Sequence, residues 1–556
     1  MAVLDRRAGR LSTEPRLHHN PPDPGRAAER RTEEAVRRSA SCGVDLEPVQ
    51  RPSGRGDHRC SPPPGTLHSR RRASAADGRA SSWDPQNPRR ARPDLPDTVS
   101  MMAEDLEGFE SSLIDIAAHW CEEGLRLGAE YAQAFVEAGA DLRWESRLRG
   151  PAVSATATSV NRRYGVGLLL RRAGVWTYSC APLHEPQTLA EKISALCPGT
   201  PRIPSPWRGR SPLETVPATT ARPLTDETCV TLQPNTAVRF IQDFFRQHRV
   251  IVDSAGTRRA LRVGGGRRRA IATVFDGTAT ARAFTRSNNP HWEPASAETS
   301  FVESAAHLIK SAADQARALL RFRSMGHKTT PVVFGPKTGA AFLHELIGHA
   351  LEADNLAKNS PYSVGLMGER LTRASLNLLD DPFLPDGMGS RAVDDDGQFC
   401  APTPLVTDGT VVGRLTCARL DSPSGSGRRE SYRHASLPRA SNTSVLGGED
   451  SVPSLLQPCP GSGLLYISSL GSGEFNPARG EFSFSAAAAH YLTSAGEAVP
   501  LKDVNLFGDA REAIDRLAGI ADDVEGDNAT CGKQGQSVLI GLYSPTMRFD
   551  RLDWHC

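Results

Sequence analysis

Apolar positions first settle into a regular spacing beyond Asp105, where Leu113, Ile114, Ile116, Ala117, Trp120 and Cys121 recur with a helical repeat. Residues 131–137 then alternate apolar and polar with period two, as a strand does. Further strand-like runs occupy 153–160, 165–170 and 175–180, followed by a helix at 189–196 and a Pro-rich connector at 198–223. Helical spacing returns at 238–246 and again at 301–320, with strands at 249–252 and 270–275 between them. The cluster Gly264-Gly265-Gly266-Arg267-Arg268-Arg269 lacks the Gly-Lys-Ser/Thr ending of a phosphate loop and opens no helix, so it reads as a charged hairpin turn.

The pattern changes after residue 327. A strand at 331–334 leads into a helix from Lys337 to about Ala353, after which short strands separated by Gly, Pro and Asp dominate: 404–406, 411–415, 463–468, 481–484 and 490–493, with one helix near 510–518. The expectation is an α+β protein of two domains. Residues 101–327 form an N-terminal mixed sheet with packed helices, and residues 328–556 form a C-terminal antiparallel, barrel-like β domain carrying the helix that begins at Lys337.

Residues 1–100 share none of this periodicity. They hold 19 arginines, no lysine and 13 acidic residues, a charge of +6, which leaves −4 on the remaining 456 residues. Such a segment, with Pro62-Pro63-Pro64 and few apolar positions, is expected to be a disordered Arg/Pro-rich tail. Its arginines lie among prolines without interleaved aromatics, which argues against nucleic-acid binding. Met101 and Met102 stand just before the globular pattern, so the true start is expected there. No apolar run approaches membrane-spanning length and the N-terminus has no hydrophobic signal core, so a cytoplasmic location is expected. The 11 cysteines include no Cys-x-x-Cys pair, and their scatter argues against a disulfide framework.

Candidate chemistry concentrates at His344-Glu345-Leu346-Ile347-Gly348-His349. Two imidazoles flanking a carboxylate can hold a metal and activate its water, and a catalytic zinc site takes three protein ligands plus an open position. Residues i and i+5 of a regular helix are roughly 140° apart, so both rings reach one ion only where the helix is locally widened or ends. A π-type bulge would do this, with Gly348 a plausible place for the distortion. Without one, the two rings would lie on opposite faces.

Several blocks around this motif resemble the TldD/PmbA family of metallopeptidases. Gly339-Ala340-Ala341-Phe342-Leu343 leads into it, Ala350-Leu351-Glu352-Ala353-Asp354 follows, and Asp394-Asp395-Asp396-Gly397 comes later. Gly427 to Tyr432, Arg439 to Thr443, Gly473 to Pro477 and Thr530 to Ser537 complete the family's usual order. The resemblance spans approximately residues 105–553, weakest between 195 and 250, and is to the TldD-type subunit that carries the metal motif.

This resemblance implies zinc held by His344, His349 and Cys531, with Glu345 as the general base. By itself Cys531 would read as a small buried hydrophobe. The resemblance further implies hydrolysis of short or unfolded peptides, including modified peptide precursors, by a heterodimer with a PmbA-type subunit. Arg429, Tyr432, His434 and Arg439 fall in matching blocks and are candidates to orient peptide, each with a packing or surface alternative. Glu352 and Asp354 are candidates to orient a ligating imidazole. The competing reading is a non-catalytic subunit with a closed, structural zinc site, in which Asp354 or His434 would supply a fourth ligand.

Overall fold

The alternation at 131–137 falls within a strand, Tyr131–Arg149, that is buried on both faces over 132–140 and sits at the centre of the first sheet. The computed structural model describes residues 100–150, 152–207, 232–291, 298–322, 324–420, 425–459 and 461–556. The tail expected over 1–100, apart from Ser100, and residues 208–223 of the expected connector lie outside the described residues. All described residues fall in one compact unit, Leu46–Cys556.

The first sheet contains β1 (Tyr131–Arg149), β2 (Ala152–Arg172), β3 (Val175–Pro182), β4 (Thr236–Asp253), β5 (Arg258–Asp276) and β6 (Ala279–Asn289), in the order β3-β2-β1-β4-β5-β6. Its neighbours are antiparallel throughout rather than mixed. Because side chains alternate across a strand, Ala132, Ala134, Val136 and Ala138 face the helix Ser100–Arg126, packing with its Leu113, Ala117 and Trp120. The helix Glu298–Ala318 covers the other end of the same face, laying Ala305, Ile309, Ala312 and Ala316 on Phe240, Ala270, Ala272 and Val274.

Two expectations in this sheet fail. Residues 238–246 belong to β4, not to a helix, because β4 is buried on both faces and its apolar positions 240, 241, 244 and 245 imitate a helical repeat. Gly264–Gly266 lie mid-strand, paired with Phe244–Arg246, and not in a turn. At Gly265, with φ 151°, an added Cβ would sit 3.0 Å from the Asn289 carbonyl and 3.1 Å from Met388 Cε, so glycine admits the C-terminal half here.

The opposite face of this sheet carries buried polar and charged residues around an apolar pair, Phe135 and Ile251, and the C-terminal half docks on it. Gln133 donates to the Asp396 carbonyl at 3.2 Å, and Glu137 accepts the Tyr432 N–H at 2.8 Å. Arg249 pairs with Asp395 at 2.8 Å and Arg429 with Asp396 at 3.0 Å, with the Arg429 guanidinium 4.4 Å from the Phe135 ring centroid. Thus Arg429, Tyr432 and the aspartates Asp395 and Asp396 bind the halves together.

In the C-terminal half, Leu464–Asn476, Lys328–Phe334, Met547–His555, Asn505–Asp509 and Glu481–Leu492 pair in succession, and Glu481–Leu492 returns to Leu464–Asn476, closing a five-strand barrel. A second sheet curls beside it, running from Thr410–Val411 through Asn442–Val445 and Gln536–Ser544 to the edge strand Glu525–Lys533. Parallel pairings occur in this half, between Asn442–Val445 and Gln536–Ser544 and between Leu464–Asn476 and Lys328–Phe334. The strand expected at 411–415 is only Thr410–Val411, and the helix expected over 510–518 ends at Asp515.

The helix Thr338–Leu343 is wedged between barrel and second sheet. Phe342 stacks on Phe334 at 4.9 Å and meets Phe549 and Phe482 edge-on, while Ala340 faces Cys531, Val538, Ile540 and Leu542. Burying an aromatic such as Phe342 is worth about 1.5–3 kcal/mol, so the segment entering the His344 motif is held from two sides. No helix among the described residues is long and apolar enough to cross a membrane.

Candidate metal centre

The helix that begins at Thr338 does not continue in α form to Ala353. It widens to a π-turn over His344–Gly348, tightens to a 3-10 turn over His349–Leu351, and resumes at Ala353–Ala357. The His349 N–H donates to the His344 carbonyl, five residues back, which is the bond that defines a π-turn. The wide turn brings both rings to one side, their centroids 4.7 Å apart. Gly348 lies in this turn, yet an added Cβ there would only touch His344 Nδ1 at 3.5 Å, so lack of space does not explain the glycine.

Cys531 approaches from the edge strand Glu525–Lys533, 187 residues from His344 in sequence. Its Sγ is 3.3 Å from His344 Nε2 and 3.1 Å from His349 Nε2, and the three ligand atoms lie within 4.8 Å of one another. Each imidazole is fixed through its other nitrogen. His344 Nδ1 meets the Thr443 hydroxyl at 2.8 Å, and His349 Nδ1 meets Glu352 Oε2 at 2.8 Å. Burial alone would raise the Glu352 carboxyl, but His349 and Lys533 outweigh it and hold it down at about 2. An ionised Glu352 only accepts, so Nδ1 of His349 carries a proton. Burial opposes a charge on the ring, but Glu352 and Cys531 outweigh it and raise the imidazole well above its ordinary pKa. Nε2 therefore also holds a proton and donates to Cys531, a proton that a bound metal would replace.

The sulfur is likewise prepared. Burial opposes ionisation of Cys531, yet His349 and His344 outweigh it and hold the thiol well below its ordinary range. Arg439 adds a donor to the sulfur at 3.0 Å and to the Cys531 carbonyl at 2.6 Å. Two oriented imidazoles and a thiolate are the donor set that zinc takes. Among the described residues the cluster has these three donors and no fourth. Asp354 is instead engaged by Lys533 at 2.5 Å and by Gln534 at 3.1 Å, and His434 sits near Ser431 at 3.4 Å.

Glu345 stands beside the donors, its Oε2 3.6 Å from His349 Nε2 and 26% of its side chain still exposed. Burial raises its carboxyl above the ordinary value, against the pull of His349 and His344. Glu345, His344, His349 and Cys531 all line a cleft of about 880 Å³, whose far wall includes Arg267, Arg269 and Arg286 of the first sheet. His490, on the strand Glu481–Leu492, is not among the donors.

Sequence reasoning did not single out Thr443 or Lys533, although both lie in blocks it quoted. A lone threonine or lysine in a strand carries no local signal of a partner 99 or 181 residues away.

A β-rich fold offering two histidines and a cysteine at the base of a cleft matches a known class: residues 327–555 correspond to the family described as PmbA/TldA metallopeptidase C-terminal domain. Over these residues, fewer than half of the chain, the sequence is similar to members of that family. It is 33% identical over 229 residues to a protein of Haemophilus influenzae named "Metalloprotease TldD homolog", covering 40% of this chain and 47% of that one. It is 27% identical over 228 residues to the "Zinc metalloprotease TldD homolog" of Saccharolobus solfataricus, covering 40% and 50% of the two chains. The chain thus spans about half the length of these curated relatives. Among solved structures, TldE from Thermococcus kodakarensis superposes with a TM-score of 0.57 at 15% identity, over 78% of this chain and 98% of that one. A putative modulator of DNA gyrase from Thermotoga maritima does so with a TM-score of 0.55 at 17% identity, over 81% and 100%. At these identities the likeness is one of fold, and it extends beyond the C-terminal half.

Proposed function

We propose that this protein is a zinc-dependent metallopeptidase that hydrolyses short or unfolded peptides. The observation that carries the reading is the convergence of His344 Nε2, His349 Nε2 and Cys531 Sγ beside the carboxylate of Glu345. Those three side chains would hold the ion, which when bound supplies a Lewis acid and brings the pKa of a water near neutrality. Glu345 then takes a proton from water and delivers it to the leaving amine, a role suited to a carboxyl whose pKa burial has raised. Glu352 and Thr443 hold the imidazoles in register throughout.

A cleft of about 880 Å³ is small beside a folded domain, which favours short or unfolded peptides as substrates. Maturation of a modified peptide is one such task. The likeness to TldE favours a heterodimer in which this chain is the catalytic subunit and a PmbA-type chain is its partner. A three-donor cluster with an adjacent base speaks for catalysis over a closed structural zinc site.

The deciding experiment is Glu345→Gln. The variant is expected to bind zinc stoichiometrically while peptide hydrolysis, followed by mass spectrometry, drops at least about a hundredfold. Hydrolysis at the parental rate would remove Glu345 from the mechanism.

A further inference from the structure

The metal cleft adjoins a second cavity, of about 350 Å³, and Arg267 and Thr530 stand in the walls of both. Arg267 and Arg269 are two residues apart on β5 and therefore face the same way, while Arg268 points to the other side and donates to Ser304 at 3.0 Å. Arg269 lies opposite Arg286 on β6, and both line the metal cleft. A row of guanidinium groups thus runs from the cleft to the second cavity, where Arg143, Arg391 and Arg428 continue it.

Carboxylates do not match this row one for one. Asp243 alone serves Arg143 at 2.5 Å, Arg269 at 3.4 Å and Arg267 at 3.7 Å. Asp395 is shared between Arg249 at 2.8 Å and Arg391 at 3.3 Å. Arg428, only 2% exposed, has no described carboxylate within ion-pair distance, and its Nη atoms donate to the Ala440 and Leu539 carbonyls. The Nε atoms of Arg428 and Arg267 are buried without a hydrogen-bond partner. Burial, reinforced by Arg391, pushes the Arg428 guanidinium well below its ordinary pKa, the mark of a charge lacking its counterpart. A buried cation with a spare donor at a cavity wall is stabilised by an incoming anion.

We propose that this arginine-walled cavity is a carboxylate subsite, which receives a carboxylate of a peptide lying across the metal cleft, either its C-terminus or an acidic side chain near that end. The inference rests on the peptidase reading for its occupant. It adds to that reading a preference for peptides that end in negative charge. Arg267, standing in both walls, is where the two regions meet.

The test uses the full chain carrying Glu345→Gln, so that bound peptide persists. Three fluorescein-labelled octapeptides of one neutral sequence are compared by fluorescence polarisation: a C-terminal acid, a C-terminal amide, and an amide whose last residue is Glu. The acid is expected to bind at least about tenfold more tightly than the neutral amide, as a charge-assisted hydrogen bond allows. Recovery of affinity by the Glu peptide would identify the side chain as an accepted source, and failure to recover would confine the subsite to the chain terminus. Arg428→Met should abolish the acid's advantage. Since that position is buried, Arg267→Gln, at a side chain 33% exposed, provides the second test and should reduce the advantage at least threefold with an unchanged circular dichroism spectrum. Equal affinities for all three peptides, or an advantage untouched by Arg267→Gln, would overturn the subsite. Absence of hydrolysis of every peptide by the parental chain would instead overturn the peptidase reading, while the polarisation series would still decide independently whether the cavity holds a carboxylate.

Discussion

The Lys533 ammonium lies 2.6 Å from Glu352 Oε2, the same oxygen that meets Nδ1 of His349 at 2.8 Å. Lys533 follows Cys531 by two residues, so one strand end carries both a candidate ligand and the cation that anchors the carboxylate behind another. Burial opposes its charge, but Glu352 and Asp354 outweigh that and raise the Lys533 pKa. Lys533→Met should leave Glu352 without its anchor and lower zinc affinity by about 10–100-fold. Competition with a chromogenic chelator reads this directly, and Lys533→Arg should restore part of the loss. Unchanged affinity in the methionine variant would make the lysine a mere strand-end contact.

Zinc binding to the folded chain alone should raise its stability. At a free zinc concentration about 100-fold above Kd the gain is about 2.7 kcal/mol. The thermal midpoint of chelator-treated protein should therefore climb on adding zinc, and Cys531→Ala should lose most of the climb. A rise of the same size in the alanine variant would show that zinc acts elsewhere.

Arg429 works away from the metal donors. It is fully buried, pairs with Asp396 at 3.0 Å and also donates to Gln133 at 3.1 Å. Arg429→Met would strand the Asp396 charge in a dry environment, at a cost of about 3–5 kcal/mol. Adding Asp396→Asn should recover part of that in urea denaturation. If the single variant were as stable as the parent, the buried pair would not contribute to the stability of the fold.

Asp380 gives the protein a pH signature. It is buried and accepts from the Ser441 N–H at 2.7 Å and its hydroxyl at 2.9 Å, and burial pushes its carboxyl up from 3.8 to about 6. A raised carboxyl keeps its proton in the folded state longer than in the unfolded one. Its contribution is therefore complete below about pH 4 and is lost as pH rises to about 6, amounting to about 3 kcal/mol. The difference in urea midpoint between the parent and Asp380→Asn should shift in favour of the variant across that window. A difference that stays flat from pH 4 to 6 would mean the group titrates normally.

Much of the local structure was legible in the chain. Period-two runs at 131–137 and 175–180 became strands, and the apolar stripes near 113–121 and 301–320 became helices. For His344 and His349 to share an ion, their five-residue spacing required a widened turn or a helix end, and the backbone has a widened turn. Legibility ended where both faces of an element are covered: β4 read as a helix because burial on each side erased its alternation.

What the amino-acid order determined alone was the type of chemistry, since imidazole, carboxylate and thiol are the groups that bind zinc and move protons wherever they are placed. Only the tertiary structure decided that Cys531 reaches His344 across 187 residues, that Lys533 and Thr443 stand behind the two rings, and that Arg428 faces a cavity without a carboxylate of its own. Those relations depend on which strand edges meet, and strand pairing is set by burial summed over whole sheets, which no short window of sequence contains.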